Sequence, residues 1–172
     1  GRVGYEAAGV QSWALRAFGE LDDTLLRLRL NEPEIGTVLV RAAGDSQAAL
    51  DVDRSLHAHR DHWLVREIIG NIRRTLKRMD LTSRSFFAII EPGNAFAGTL
   101  FELALAADRS YMFNDPGRPN AIHLSRMNAG PFPMSNGLTR LQARFYGDPQ
   151  KGDLALAHGG PFDPEAGLQA GL

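Results

Sequence analysis

The sequence predicts an α/β domain, and three observations carry that prediction. Segments that read as short strands alternate with segments that read as helices. Leu64, Ile68, Ile72 and Leu76 repeat every four residues inside 55–80, the period of a long amphipathic helix. The apolar run "SFFAIIEPG" (85–93) passes through a Pro-Gly turn into "GTLFELALAAD" (98–108), a strand–turn–helix passage. Because the strands are short and some are consecutive, a simple doubly wound sheet fits only in part.

The elements follow in order. Residues 12–30 read as a helix, with Leu15, Phe18, Leu21, Leu25 and Leu28 on one face and Ser12 as its N-cap. Arg16 with Glu20 and Asp23 with Arg27 are spaced to pair on the wet face, and Pro33 ends the helix. "TVLVRAAG" (37–44) is a β-branched run closed by glycine and reads as a buried strand, while "DSQAALDVD" (45–53) has no strong period and reads as a loop. Residues 55–80 read as one helix whose Arg66, Arg73, Arg74, Lys77 and Arg78 are a solvated face before they are a phosphate or partner contact. After 85–93 and 98–108, "SYMF" (110–113) and "AIHLS" (121–125) are short strands. Residues 136–147 form an amphipathic helix with Leu138, Leu141 and Phe145 inward, and Asp163 caps a last helix that starts at Pro164.

The 172 residues suffice for one domain with a sizeable core. A formal net charge of −1 supplies no field for nucleic acid or a membrane surface. No apolar run reaches the roughly 20 residues of a membrane span. "GRVGYEAAGVQSW" lacks the layout of a secretory signal, so the default location is cytoplasmic. There is no cysteine, hence no disulfide, thiolate metal site or cysteine nucleophile. The absent initiator Met and the ending "EAGLQAGL" suggest a fragment of a longer chain.

One acid stands out. Glu102 lies in an otherwise apolar stretch, one turn past Gly98. Free N–H groups at a helix start, here from Thr99 and Leu100, can stabilise negative charge on a carbonyl oxygen. A carboxyl among Leu and Ala has its pKa raised by desolvation, which suits proton transfer. Periodicity alone favours the plainer alternative, a first-turn acid complementing the helix dipole.

Weaker constellations stand beside it. His59 and His62 in "HAHRDH" are three apart and could face one ion with Asp61 nearby, but surface imidazoles explain them more simply; no metal is expected. His123 and Ser125 share a strand face with no acid to orient the imidazole. "GNAFAG" lacks the spacing of a dinucleotide fingerprint. Asp108 reads as a capping or turn residue. Arg109 and Arg126 are candidate partners for Asp108 or Glu102, and pairing would lower the Glu102 pKa.

"PGNAFAGTLFELALAAD", set between two strands, resembles the core motif of the crotonase (enoyl-CoA hydratase/isomerase) superfamily, in which a glycine-rich turn precedes "E-L-A-x-x-x-D". The segments "EIG", "RDHW-VRE-IG", "SRS-FA-IEPG" and "AGTL-E-ALAADRSYM" are most similar to the C-terminal crotonase-like region of two-lobed CoA-thioester lyases of aerobic benzoate degradation. The resemblance runs from about Ser12 to Leu172. It implies one crotonase-like domain over 1–172, a spiral of β-β-α units incomplete at both ends, cut from a two-lobed chain. It also implies an enzyme, in its intact form, that opens the ring of dihydrodiol or epoxy benzoyl-CoA with release of formate. By the same resemblance Glu102 takes the place of the first catalytic glutamate. Backbone donors near Thr99 and near Ala49 or Leu50 form an oxyanion hole, and Gly98, Ala49 and Arg126 contact substrate. No separate cofactor is implied, since CoA enters as part of the acyl-CoA substrate. The implied partner is another crotonase-like domain of the same chain or a homo-oligomer, with no nucleic acid and no membrane.

The departures weaken this site. Gly98-Thr99 replaces a Gly-Gly turn, with bulky Leu100 next. Arg126 stands where the superfamily's second glutamate is expected, and arginine is no general acid or base at neutral pH. "GDSQAALDVD" lacks the usual donor-loop pattern. Two rival readings follow: an autonomous enoyl-CoA hydratase or isomerase using Glu102 alone, and a non-catalytic scaffold lobe packed against a catalytic domain. The second expects a filled acyl pocket and a salt-bridged Glu102.

Overall fold

The chain is described by a computed structural model over residues 12–172. The amino-terminal stretch read for its lack of a signal layout lies outside those residues, apart from Ser12 and Trp13. Helix α1 spans Trp13–Leu30, starting where expected, although the Ser12 side chain makes no capping bond. Strand β1 is Thr37–Val40. The segment expected to be a loop is a helix, α2, Ser46–Ala58, whose first turn is capped by Asp45 accepting from the Gln47 amide at 2.8 Å. Ala49, Asp53 and Leu56 form its buried stripe, and the acid in the middle of that stripe hides the period from a hydrophobicity pattern.

The single helix expected over 55–80 is two pieces. The chain leaves α2 at His59, turns through Arg60 and Asp61, and re-enters at Trp63 to form α3, Trp63–Asp80. Val65, Ile68, Ile72, Leu76 and Met79 face the core from α3. This helix packs on α1, where Thr75 Oγ1 reaches the Phe18 carbonyl at 3.3 Å and Arg78 pairs with Asp22 at 2.7 Å. Arg66, Arg73 and Arg74 are exposed, the solvated face that the plainer reading anticipated.

Strand β2 (Ser85–Ile90) lies between β1 and β3 (Arg109–Met112) in a three-stranded parallel sheet, with Leu39 opposite Phe87 and Phe87 opposite Arg109. Phe86, Ala88 and Ile90 point into the core. The opposite face carries Leu39, Phe87, Ile89 and Tyr111; Leu39 and Tyr111 are exposed, and Phe87 meets Tyr111 edge-on at 6.0 Å. The helix expected over 98–108 is shorter: a 3-10 turn at Gly98–Leu100 and then α4, Phe101–Leu105. Asp108 is the turn residue foreseen for it, accepting from the Phe86 amide at 2.8 Å.

Strands β4 (Ile122–His123) and β5 (Pro161–Phe162) make a small antiparallel pair. Between them lie a 3-10 turn at Arg126–Ala129, helix α5 (Arg140–Arg144) and helix α6 (Pro149–Ala157). Thr139 and Gln142 cap α5 reciprocally, which confines the helix expected over 136–147 to five residues. Helix α7, Pro164–Ala170, begins as expected, with Asp163 accepting from the Ala166 amide at 2.8 Å. Among the described residues no helix is long and apolar enough to cross a membrane.

Candidate functional site

The site grows out of the turn after β2. Asn94 fixes that turn by accepting from the Phe96 amide at 2.8 Å while its own amide donates to Asn120 Oδ1 at 2.7 Å. Asn120 in turn donates to the Ile90 carbonyl at 2.8 Å, so the end of β2 and the 94–97 segment are tied together. The backbone then turns at Gly98, whose φ of +51° is left-handed. A Cβ at Gly98 would collide with the Asp53 carboxylate, so glycine is required there twice over.

That carboxylate is the centre of the site. Asp53, buried on α2, accepts from the Thr99 amide at 2.9 Å, from Thr99 Oγ1 at 2.5 Å and from Ser125 Oγ at 2.5 Å. Burial pushes its pKa up, and the bonds from Ser125 and Thr99 act against that rise. Ser125 is itself held, accepting from the Met127 amide at 3.0 Å, while its backbone N–H donates to Asn128 Oδ1 at 2.8 Å.

Asn128 links this cluster to Glu102. Its side-chain amide donates to the Gly98 carbonyl at 2.9 Å and to Glu102 Oε1 at 2.7 Å. The other Glu102 oxygen accepts from Arg140 Nη1 at 2.9 Å. Arg140 is shared: its Nε and Nη2 donate to Asp80 at 3.0 and 2.6 Å. Glu102 is 1% exposed. Desolvation raises its pKa; Asn128 and Arg140 oppose the rise, and the nearby Asp80 charge adds to it.

The structure places each candidate donor and side chain. The amides of an open helix mouth are not free: the Thr99 N–H is taken by Asp53, and the Ala49 N–H donates to the Asp45 carbonyl at 3.1 Å. Leu50 lies in the second turn of α2, so its N–H belongs to the helix ladder rather than to a donor loop. Arg126 is exposed and sits on the cleft wall, and the cation on Glu102 is Arg140. His59 and His62 fall at the end of α2 and the start of α3, and among the described residues no three His, Cys, Asp or Glu side chains gather to hold a metal. His123 is partly buried, which lowers its pKa, and Ser125 bonds to Asp53 and not to that imidazole.

Sequence reasoning missed Asp53, Asn128, Arg140 and Asp80. Their contacts join positions far apart in the chain, 72 residues for Ser125 with Asp53 and 38 for Arg140 with Glu102, and no local period records such pairs.

Two spaces border the cluster. Beside Ala49, Ala97, Thr99 and Leu100 lies a void of about 10 Å³, no larger than one water. On the other side, a cleft of about 390 Å³ opens between α2 and residues 124–127. Arg54, His57 and Arg126 line it, with Asp53 and Ser125 also on its surface.

No family model matches the chain. Over 141 residues, 82% of its length, it is 54% identical to benzoyl-CoA-dihydrodiol lyase of Aromatoleum evansii. The chain is a relative of part of that lyase. The match spans about a quarter of the lyase, 25% of its length. This bears out the resemblance to such a lyase read from "RDHW-VRE-IG" and "AGTL-E-ALAADRSYM".

Proposed function

We propose that this chain is a crotonase-like segment of a CoA-thioester lyase of aerobic benzoate degradation, and that within it the segment is a supporting lobe. The whole lyase opens the ring of a dihydrodiol or epoxy form of benzoyl-CoA and releases formate. Its substrate is an acyl-CoA, and no separate cofactor enters. The spiral arrangement of β-β-α units belongs to the same reading.

One observation carries the supporting role: the Thr99 amide, the donor that a thioester oxygen would need, donates to the Asp53 carboxylate. An oxyanion cannot share that position with a fixed negative charge. Glu102 adds to the argument, because it is buried with one oxygen held by Asn128 and the other by Arg140, so both of its oxygens already serve the fold. The open sheet face with Leu39 and Tyr111 supports packing against another domain, since parallel sheets are ordinarily covered on both sides.

Two measurements test the proposal. The chain alone, given an enoyl-CoA, is expected to show no hydration or isomerisation above background. Turnover that disappears in Glu102→Gln would establish the autonomous enzyme instead. Co-expressed with the remainder of the lyase, the chain is expected to be required for formate release from the ring-opening substrate. Release at full rate without it would remove the supporting role.

A further inference from the structure

The donors around Asp53 make a cradle for a carboxylate that the chain fills with its own side chain. Three hydrogens converge on the Asp53 oxygens: the Thr99 N–H, the Thr99 hydroxyl and the Ser125 hydroxyl, at 2.5–2.9 Å. They come from two separate segments, and each segment is pinned independently of Asp53. Thr99 follows the Gly98 turn, whose carbonyl is held by Asn128, and Ser125 is fixed by the Met127 amide and by Asn128. The cradle therefore does not need the carboxylate to bring its parts together.

The occupant is also unusual for a buried acid. Its three partners are neutral, and the bonds they donate are those a bound carboxylate would accept from a preorganised site. The cradle borders open space: Asp53 and Ser125 both reach the cleft of about 390 Å³, which has Arg54, His57 and Arg126 on its walls. Arg126 is exposed on the wall of that cleft, and Arg54, beside it, is paired with Asp51, so a small anion entering from solvent would pass Arg126 to reach the donors.

We propose that Thr99 and Ser125 form a binding site for a small carboxylate, occupied in cis by Asp53, and that the site accepts a free carboxylate once that side chain is cut back. The inference rests on reading the mouth as closed by Asp53. Its test is independent of turnover, so the two can fail separately.

Asp53→Ala in the full chain is the variant, acetate is the probe, and chloride at equal ionic strength is the control. Acetate at about five times its Kd is expected to raise the unfolding midpoint of Asp53→Ala by about 2–4 °C over chloride, with no such difference in the unmodified chain. The further changes Thr99→Val and Ser125→Ala are expected to abolish the acetate response. Amide exchange at Thr99 is expected to speed up in Asp53→Ala and to slow again in acetate. A folded Asp53→Ala protein that responds equally to acetate and chloride overturns the proposal. Should Asp53→Ala not fold in chloride, refolding in acetate becomes the readout. Recovery there supports the site, and failure in both salts overturns it.

Discussion

Two acids, Glu102 and Asp53, are almost equally hidden, at 1% and 3% exposure, yet they are held in opposite ways. Glu102 meets a guanidinium, with Arg140 on one oxygen and the Asn128 amide on the other. Asp53 meets two hydroxyls and one backbone amide. Burial raises the pKa of both, and only for Glu102 does a cation act against it. The difference separates two uses of a buried charge. Around Glu102 the ions are a strut: Arg140 ties α4 to α3 and α5 through Glu102 and Asp80. Around Asp53 the charge is a plug, and hydroxyls can turn to another acceptor if it leaves.

Removing the strut's cation should have the largest effect. Arg140→Met leaves Glu102 buried without its cation and removes the bidentate partner of Asp80. The expected loss is about 3–5 kcal/mol, read from urea unfolding. A loss below about 1 kcal/mol, typical of an exposed pair, would mean that water reaches Glu102 and that the strut is not one.

The plug should respond at a different place. Gly98→Ala introduces both a left-handed alanine and a methyl group aimed at the Asp53 carboxylate. The expected cost is about 1–3 kcal/mol. A double-mutant cycle sharpens the comparison: adding Asp53→Ala should relieve the collision, so the pair costs less than the sum of the two. Strict additivity would show that Asp53 does not occupy the space beside Gly98. The same cycle between Gly98→Ala and Arg140→Met should show weaker coupling, because Arg140 reaches Gly98 only by way of Glu102 and Asn128.

How far the sequence reveals all this depends on whether a feature is local. The turn from β2 into α4, the Asp163–Pro164 start of α7 and the face of α1 are written in consecutive residues, and the structure has them within a few positions. The relationship to the lyase was legible for the same reason, in runs such as "AGTLFELALAADRSYM". Helix α2 was not legible, because Asp53 occupies a core position where a periodic pattern expects a Leu. Nor was the state of the helix mouth. "GTLFEL" describes a start with donors and an acid. Whether those donors are free is decided by α2, 46 residues upstream, and whether the acid is free by α5, 38 residues downstream. The bulk of Thr99 and the arginine at 126 signalled a weakened site without naming what closes it.

The smallest expected effect, a slope against pH, discriminates most finely between plug and strut. Folding raises the Asp53 pKa above its ordinary 3.8, so between that value and the folded one the native chain binds more protons than the unfolded chain. Stability contributed by this group is complete below 3.8 and is lost as pH rises through the folded value. In Asp53→Asn that contribution is gone, while the Glu102 group, which shifts in the same direction, remains in both proteins and cancels in the difference. The gap in unfolding free energy, unmodified chain minus Asp53→Asn, should therefore widen in favour of the unmodified chain as pH falls from neutral toward 3.8. Urea titrations at a series of pH values measure the gap directly. A gap that narrows on acidification would mean that the folded state holds Asp53 more firmly as an anion than the unfolded state does. The three neutral donors would then outweigh the cost of burial, and Asp53 would be a second strut.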